Sequence, residues 1–139
     1  MKKAIILKTE EDTKALGASL AKDIEQGDIF ALVGDLGTGK TTLTKAIAAA
    51  LGIQETITSP TFTIISEYYS GRLPFYHFDV YRVHNEDELF EIGFEEYLEG
   101  SGVCIIEWAD LVKEILPSWT KWVHLEYGSK EGERICTIK

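Results

Sequence analysis

A three-layer α/β/α fold around a mixed, mostly parallel sheet with antiparallel hairpins is what this 139-residue sequence predicts. Three observations carry that prediction. Apolar, strand-like runs alternate with stretches at helical spacing, the pattern of a sheet covered by helices. The run Val103-Cys104-Ile105-Ile106 is apolar throughout, as a strand buried on both faces requires. Finally, Gly34-Asp35-Leu36-Gly37-Thr38-Gly39-Lys40-Thr41 matches G-x-x-x-x-G-K-[ST] without mismatch. It lies between an apolar run and a helix-forming one, the strand–loop–helix context of a P-loop NTPase.

The elements follow in order. Residues 4–7 read as a short strand or ordered arm. Thr9-Glu10-Glu11-Asp12 is a helix start, with Thr9 as cap and acids in the first turn. Leu16, Leu20 and Ile24 recur every four residues, so the spacing predicts an amphipathic helix over 10–26, stopped by Gly27. Residues 29–33 form a buried strand and 40–51 the helix after the glycine loop, ended by Gly52. Residues 63–70 and 73–81 read as two strands around Ser70-Gly71-Arg72. Asn85 opens a helix that runs to 98, and Gly100 and Gly102 break the chain. After the strand at 103–106 comes a short helix, 109–116, halted by Pro117. Residues 122–127 and 133–138 make a terminal hairpin.

All 139 residues are expected in one domain, long enough to bury a core without disulfides. The apolar run after Met1-Lys2-Lys3 is too short for a signal peptide, and no stretch approaches the roughly 18 apolar residues of a membrane span. Cys104 and Cys136 sit in strand-like runs and read as small core residues, which fits a reducing, cytoplasmic compartment. The net charge of −9 withholds the basic field that non-specific nucleic-acid binding draws on, so any nucleic-acid contact is expected to be indirect or weak.

The glycine loop needs its residue types for physical reasons. A polyphosphate asks for several backbone N–H groups pointing inward at once, and Gly34, Gly37 and Gly39 permit the backbone angles and the close approach. The helix beginning near Lys40 adds unpaired N–H groups and a partial positive charge. Asp35, Leu36, Gly37, Thr38, Gly39, Lys40, Thr41 and Thr42 are therefore the expected phosphate-side contacts. Lys40 reaches the β/γ-phosphates, and the Thr41 hydroxyl binds Mg²⁺.

Turnover also requires an acid at the metal and a group that positions the attacking oxygen. Glu107 ends the apolar strand 103–106, so it points into the crevice where α/β sheets take ligands, a Walker B position with Glu for the commoner Asp. Asp79 lies in Tyr76-His77-Phe78-Asp79-Val80-Tyr81-Arg82. Alternation places His77, Asp79 and Tyr81 on one face, which either lines a site or is a solvated outer face. Thr61, in Ser59-Pro60-Thr61-Phe62-Thr63, follows the loop helix where many NTPases sense the γ-phosphate; a turn feeding a strand is the other reading. Arg82 reads as a surface ion-pair residue and Trp108 as a packing aromatic.

These four motifs, Gly34 to Thr42, Ser59 to Thr63, His77 to Arg82 and Ile106-Glu107-Trp108, resemble the TsaE (YjeE) family of bacterial ATPases in order and spacing. The resemblance implies Mg²⁺-dependent ATP binding and hydrolysis in support of N6-threonylcarbamoyladenosine formation at position 37 of tRNAs that read codons beginning with A. It implies action in a complex with TsaD and TsaB, in which this protein does not itself carry the transferase chemistry. It places Thr41, Glu107 and Asp79 at Mg²⁺, with Glu107 alternatively orienting the attacking water, and Thr61 in a switch-like loop. It also implies Thr9, Thr13 and Arg134 as contacts around the adenine.

Three other readings compete with this one. A small-molecule kinase wants lid arginines, and Arg72, Arg82 and Arg134 are scattered. A GTPase wants N-K-x-D, which is absent. A nucleotide-sensing module without turnover shares the ground-state contacts and stays open.

Overall fold

The computed structural model describes residues 3–35, 37–58, 60 and 64–139. Leu36, Ser59, Thr61, Phe62 and Thr63, all named above, lie outside the described residues. The strands are β1 (Lys3–Leu7), β2 (Ile29–Val33), β3 (Ile65–Tyr68), β4 (Phe75–Asp79), β5 (Val103–Glu107), β6 (Lys121–Tyr127) and β7 (Arg134–Ile138). They form one seven-stranded sheet in the order β1-β7-β6-β2-β5-β4-β3. The helices are α1 (Glu10–Lys22), α2 (Lys40–Ala50), α3 (Glu86–Glu91) and α4 (Phe94–Leu98), and a 3-10 segment spans Ala109–Ile115.

The expected parallel majority is confined to the sheet centre. β2 pairs parallel with β5 and β6, and β5 with β4. β1–β7, β6–β7 and β3–β4 are antiparallel, so the six pairings divide evenly. For β3–β4 and β6–β7 the reason is loop length: their short connections allow only hairpins, and parallel neighbours need a crossover.

Period-two alternation sorts the strand side chains into two cores. Phe30 and Leu32 of β2 and Val103 and Ile105 of β5 join the cluster that includes Leu43 and Ile47 of α2 and Ala21 of α1. Ile29 and Ala31, with Cys104 and Ile106, face the opposite cluster, which holds Leu89, Phe94, Leu98 and Val112. Helices thus cover both faces, and the continuous apolar reading of β5 is explained, since all five of its residues are buried. Burial pushes the Cys104 thiol up to about 12 and the Cys136 thiol up to about 11, as expected of inert core residues.

The strands expected over 63–70 and 73–81 are shorter, Ile65–Tyr68 and Phe75–Asp79, and three helical elements differ from expectation. α1 is capped by the Thr9 hydroxyl accepting from Asp12 N at 3.2 Å, but it ends at Lys22 rather than 26. Arg72 donates to the carbonyls of Ala21 and Ile24 and so satisfies the groups freed there. The helix expected over 85–98 is two helices, because Gly93 takes a left-handed φ of 80° between them. The segment expected as a helix over 109–116 is 3-10 and kinks at Val112.

Phe78 tests the second core. It is fully buried, with ring centroids 5.0 Å from Phe94 and 5.6 Å from Tyr97. Phe78→Ala is expected to cost about 3–5 kcal/mol of unfolding free energy, read by urea denaturation at unchanged m-value. A loss under about 1 kcal/mol would show that these rings do not anchor α4.

Candidate functional site

Sheet geometry brings the acids to the glycine loop. β4 and β5 run parallel with Asp79 opposite Glu107, so both carboxylates leave the carboxyl ends of neighbouring strands. Glu107 shares its face with Ile105 and Val103, the face covered by α2. The first residue of α2 is Lys40. A cleft of about 270 Å³ is lined by Gly37, Gly39, Lys40, Thr41, Thr42, Asp79, Glu107 and Trp108. An adjoining cleft of about 440 Å³ shares Gly37, Gly39 and Thr42 and adds Lys8, Thr9, Glu10, Thr13, Thr38, Gly132 and Arg134. Glycine-loop residues are therefore shared by two compartments, one carrying Lys40, Asp79 and Glu107 and the other carrying Lys8, Glu10 and Arg134.

Local geometry explains the loop residues. Gly39 caps α2 at φ 102°, outside the reach of ordinary L side chains. Gly34 is required by proximity, since a Cβ there would stand 2.5 Å from the Leu125 carbonyl oxygen. Thr38 is buried and donates from its hydroxyl to Asp35 O at 2.7 Å, which closes the turn. Asp35 is exposed, and its carbonyl carries its contacts here.

Lys40 is only 5% exposed. Its ammonium donates to Gly34 O and, at 3.2 Å, to Asp35 O, and it stands 4.1 Å from the Trp108 ring centroid. Burial lowers its pKa from the ordinary lysine value, against the pull of Glu107, Asp35, Asp79 and Asp110. The Lys40–Trp108 contact assigns the aromatic a role that the sequence reading gave to packing alone. Trp108 takes a left-handed φ of 62°, and its ring lies 4.6 Å from that of Tyr81 at a tilt of 42° while its face meets the Lys40 ammonium.

Asp79 is half-buried and accepts from Tyr81 N at 3.0 Å. Burial raises its pKa above the usual carboxylate value; Glu107 adds to the rise, while the Tyr81 N–H, His77 and Lys40 oppose it. Glu107 is 3% exposed, and its Oε2 lies 2.5 Å from Nε2 of the fully buried His77. Of the His77–Asp79–Tyr81 face, Asp79 lines the cleft, His77 is fully buried against Glu107 and lines neither compartment, and Tyr81 is exposed. Arg82 is exposed too.

In the second compartment, Thr9 caps α1, Thr13 is buried beside the loop, and Arg134 donates to Gly37 O at 3.0 Å. The Arg134 guanidinium also lies 4.8 Å over the Tyr127 ring. The structure thus brings Thr9, Thr13 and Arg134 together with Thr38 and Thr42. Thr61 and Leu36 lie outside the described residues. Sequence reasoning missed Lys8, Glu10 and Gly132 as lining residues, and their positions on either side of Thr9 and in the terminal hairpin were the available signal.

Hard oxygen donors and a lysine facing one loop suit a hydrated magnesium–phosphate group, which takes one or two carboxylates and keeps phosphate oxygens and water as its other ligands. Thr41, Asp79 and Glu107 supply that set. Among the described residues no group of three or more His, Cys, Asp or Glu side chains forms a closed metal cage, and no helix is long and apolar enough to cross a membrane.

Fold and site define an α/β protein whose sheet presents two strand-end acids to a glycine loop of the phosphate-binding sequence pattern. The TsaE family model, described as threonylcarbamoyl adenosine biosynthesis protein TsaE, matches residues 7–136. The chain belongs to the TsaE family. It is similar to the tRNA threonylcarbamoyladenosine biosynthesis protein TsaE of Treponema pallidum (strain Nichols), 41% identical over 133 residues, which covers 96% of this chain and 97% of that relative. The protein of the same description from Bacillus subtilis (strain 168) is 52% identical over 107 residues, 77% of this chain; the match spans 66% of the Bacillus protein, just under two thirds of its length. Among solved structures, the crystal structure of Bacillus subtilis YdiB superposes with a TM-score of 0.80 at 40% identity, over 99% of this chain and 84% of that one.

Proposed function

We propose that this chain is a P-loop ATPase that binds and hydrolyses Mg²⁺-ATP in support of N6-threonylcarbamoyladenosine formation at tRNA position 37, working with TsaD and TsaB. One observation carries the enzymatic part: Lys40, Thr41, Asp79 and Glu107 converge on one glycine-loop cleft. Family membership supports the pathway.

In this reading the loop N–H groups and the first turn of α2 receive the phosphates. Lys40 exchanges the Gly34 and Asp35 carbonyls for the β- and γ-phosphate oxygens. Thr41, Asp79 and Glu107 hold Mg²⁺, which when bound neutralises charge on the phosphates. Thr61 is assigned to the γ-phosphate side by its motif alone. The neighbouring compartment takes the nucleoside, with Thr9, Thr13 and Arg134 around the base.

The test is phosphate release from Mg²⁺-ATP by the chain alone and with TsaD and TsaB, alongside ATP affinity by titration calorimetry. Binding, slow release alone and stimulated release with the pair are expected. Failure of ATP to bind with Lys40 intact would overturn the reading. Tight binding without release, alone or with the pair, would leave a nucleotide-sensing module.

A further inference from the structure

We propose that His77 is a positioning residue, which fixes the rotation of the Glu107 carboxylate so that one oxygen is spoken for and the other faces the cleft. The inference rests on the ATPase reading above and assigns a part of its machinery that no cleft-lining residue reveals.

His77 is fully buried in the middle of β4, opposite Ile105 of β5 and Ser66 of β3. Burying an imidazole is costly unless its nitrogens are hydrogen-bonded. Here one nitrogen is satisfied and the other is not: Nε2 meets Glu107 Oε2 at 2.5 Å, and Nδ1 has no hydrogen-bond partner among the described residues. A ring kept only for packing would do better as an apolar one, as Phe75 does two residues earlier on the same face, also fully buried. The bond to Glu107 is what distinguishes the histidine from such a residue.

The bond has a geometric consequence. With Glu107 ionised, Nε2 carries the hydrogen and donates it to Oε2. A carboxylate at a strand end would otherwise rotate about its last torsion, which is broad and roughly two-fold. Tethering Oε2 leaves Oε1 as the acceptor presented to the compartment that Glu107 lines with Lys40, Thr41 and Asp79. His77 is not among the residues lining either compartment and has no solvent exposure, so it touches neither nucleotide nor water there. It acts through Glu107, in the way that outer hydrogen-bond partners orient the ligands of a metal site.

Two substitutions separate orientation from packing. His77→Phe preserves an aromatic volume and removes the donor. His77→Gln keeps an amide N–H at about the reach of Nε2. Steady-state ATP hydrolysis with TsaD and TsaB, ATP affinity and melting temperature are measured for wild type and both variants. His77→Phe is expected to lower kcat by about 10- to 100-fold, the usual effect of losing such a partner, with ATP affinity within about threefold of wild type. His77→Gln is expected to recover most of kcat. On Glu107→Asp, one methylene too short to span the contact, adding His77→Phe should cost less than about threefold, because coupled residues are not additive.

A His77→Phe protein with wild-type kcat overturns the inference. So does equal impairment of the Phe and Gln variants, or a full additive loss on Glu107→Asp, since each marks a merely structural histidine. A variant that fails to melt cooperatively is read through its partner: a folded His77→Gln protein with kcat as low as that of Glu107→Asp overturns the inference, and one with near-wild-type kcat supports it. Absence of turnover in the wild type overturns the ATPase reading and this inference with it, whereas wild-type turnover with any of the adverse variant results removes the inference alone.

Discussion

Lys40→Ala is expected to weaken ATP binding roughly 10- to 100-fold, the range that one lost charge-assisted hydrogen bond to a buried group supplies. Lys40 is almost fully buried, and it is the cation that faces Glu107 and Asp79 across the cleft. Removing it does two things. It deletes the donor destined for the phosphates, and it leaves the two strand-end carboxylates unopposed, so the compartment repels an anion it should attract. Lys40→Arg should rescue poorly: the ammonium fits between Gly34 O, Asp35 O and the Trp108 ring, and a forked, planar guanidinium is a different shape. Titration calorimetry with Mg²⁺-ATP decides it. ATP affinity within threefold of wild type in Lys40→Ala would mean that the glycine loop does not use its lysine for phosphate.

The legible parts of this protein are those whose cause is local. Gly34 to Thr41 could be read because loop, glycines and helix start are contiguous, and Glu107 because an apolar strand announces the residue that ends it. The His77–Asp79 face was legible only as an alternation. Which way it turned depended on the parallel register that sets Asp79 against Glu107, a pairing between segments separated by two helices. The same is true of the sheet. Strands β2, β4, β5 and β6 were foreseeable as runs, yet the antiparallel attachment of β1 to β7 at the edge joins the two ends of the chain, and no spacing encodes it. Trp108 illustrates a third limit. A bulky aromatic at positive φ runs against intrinsic preference, so nothing local predicts that its ring will lie on Lys40. The break at Gly93 was hidden for the opposite reason: a glycine within a helical pattern costs only about 1 kcal/mol, so its presence does not by itself announce that the helix stops.

Glu107→Gln should separate turnover from binding, and so complement Lys40→Ala. The amide retains the size of the carboxylate and an oxygen that His77 can donate to, so the strand end and its hydrogen bond persist. What disappears is the charge and the ability to accept a proton. Hydrolysis is expected to fall by about 10² to 10⁴, the range typical of a lost acid–base group, with ATP affinity within a few-fold of wild type. Glu107→Ala should behave likewise in turnover and cost more stability, because it leaves the buried His77 side chain without a hydrogen-bond partner among the described residues. Normal hydrolysis by either variant would remove Glu107 from the mechanism. The two roles open to Glu107 predict different magnesium dependences. If it chiefly holds the ion, raising Mg²⁺ should restore much of the rate of Glu107→Gln, since Asp79 and Thr41 remain as oxygen donors on the same cleft. If it chiefly orients the attacking water, the rate stays low at saturating Mg²⁺, because the missing group is a base and no concentration of metal replaces it. The raised pKa of Asp79 bears on the same choice. Burial, with Glu107 adding to it, makes the ionised Asp79 costly, so removing the Glu107 charge should ease Asp79 toward its ordinary value and improve it as a metal ligand. That compensation favours a Glu107→Gln protein that binds Mg²⁺-ATP well; under the metal-holding role it also favours recovery of the rate at raised Mg²⁺, and under the water-orienting role it does not.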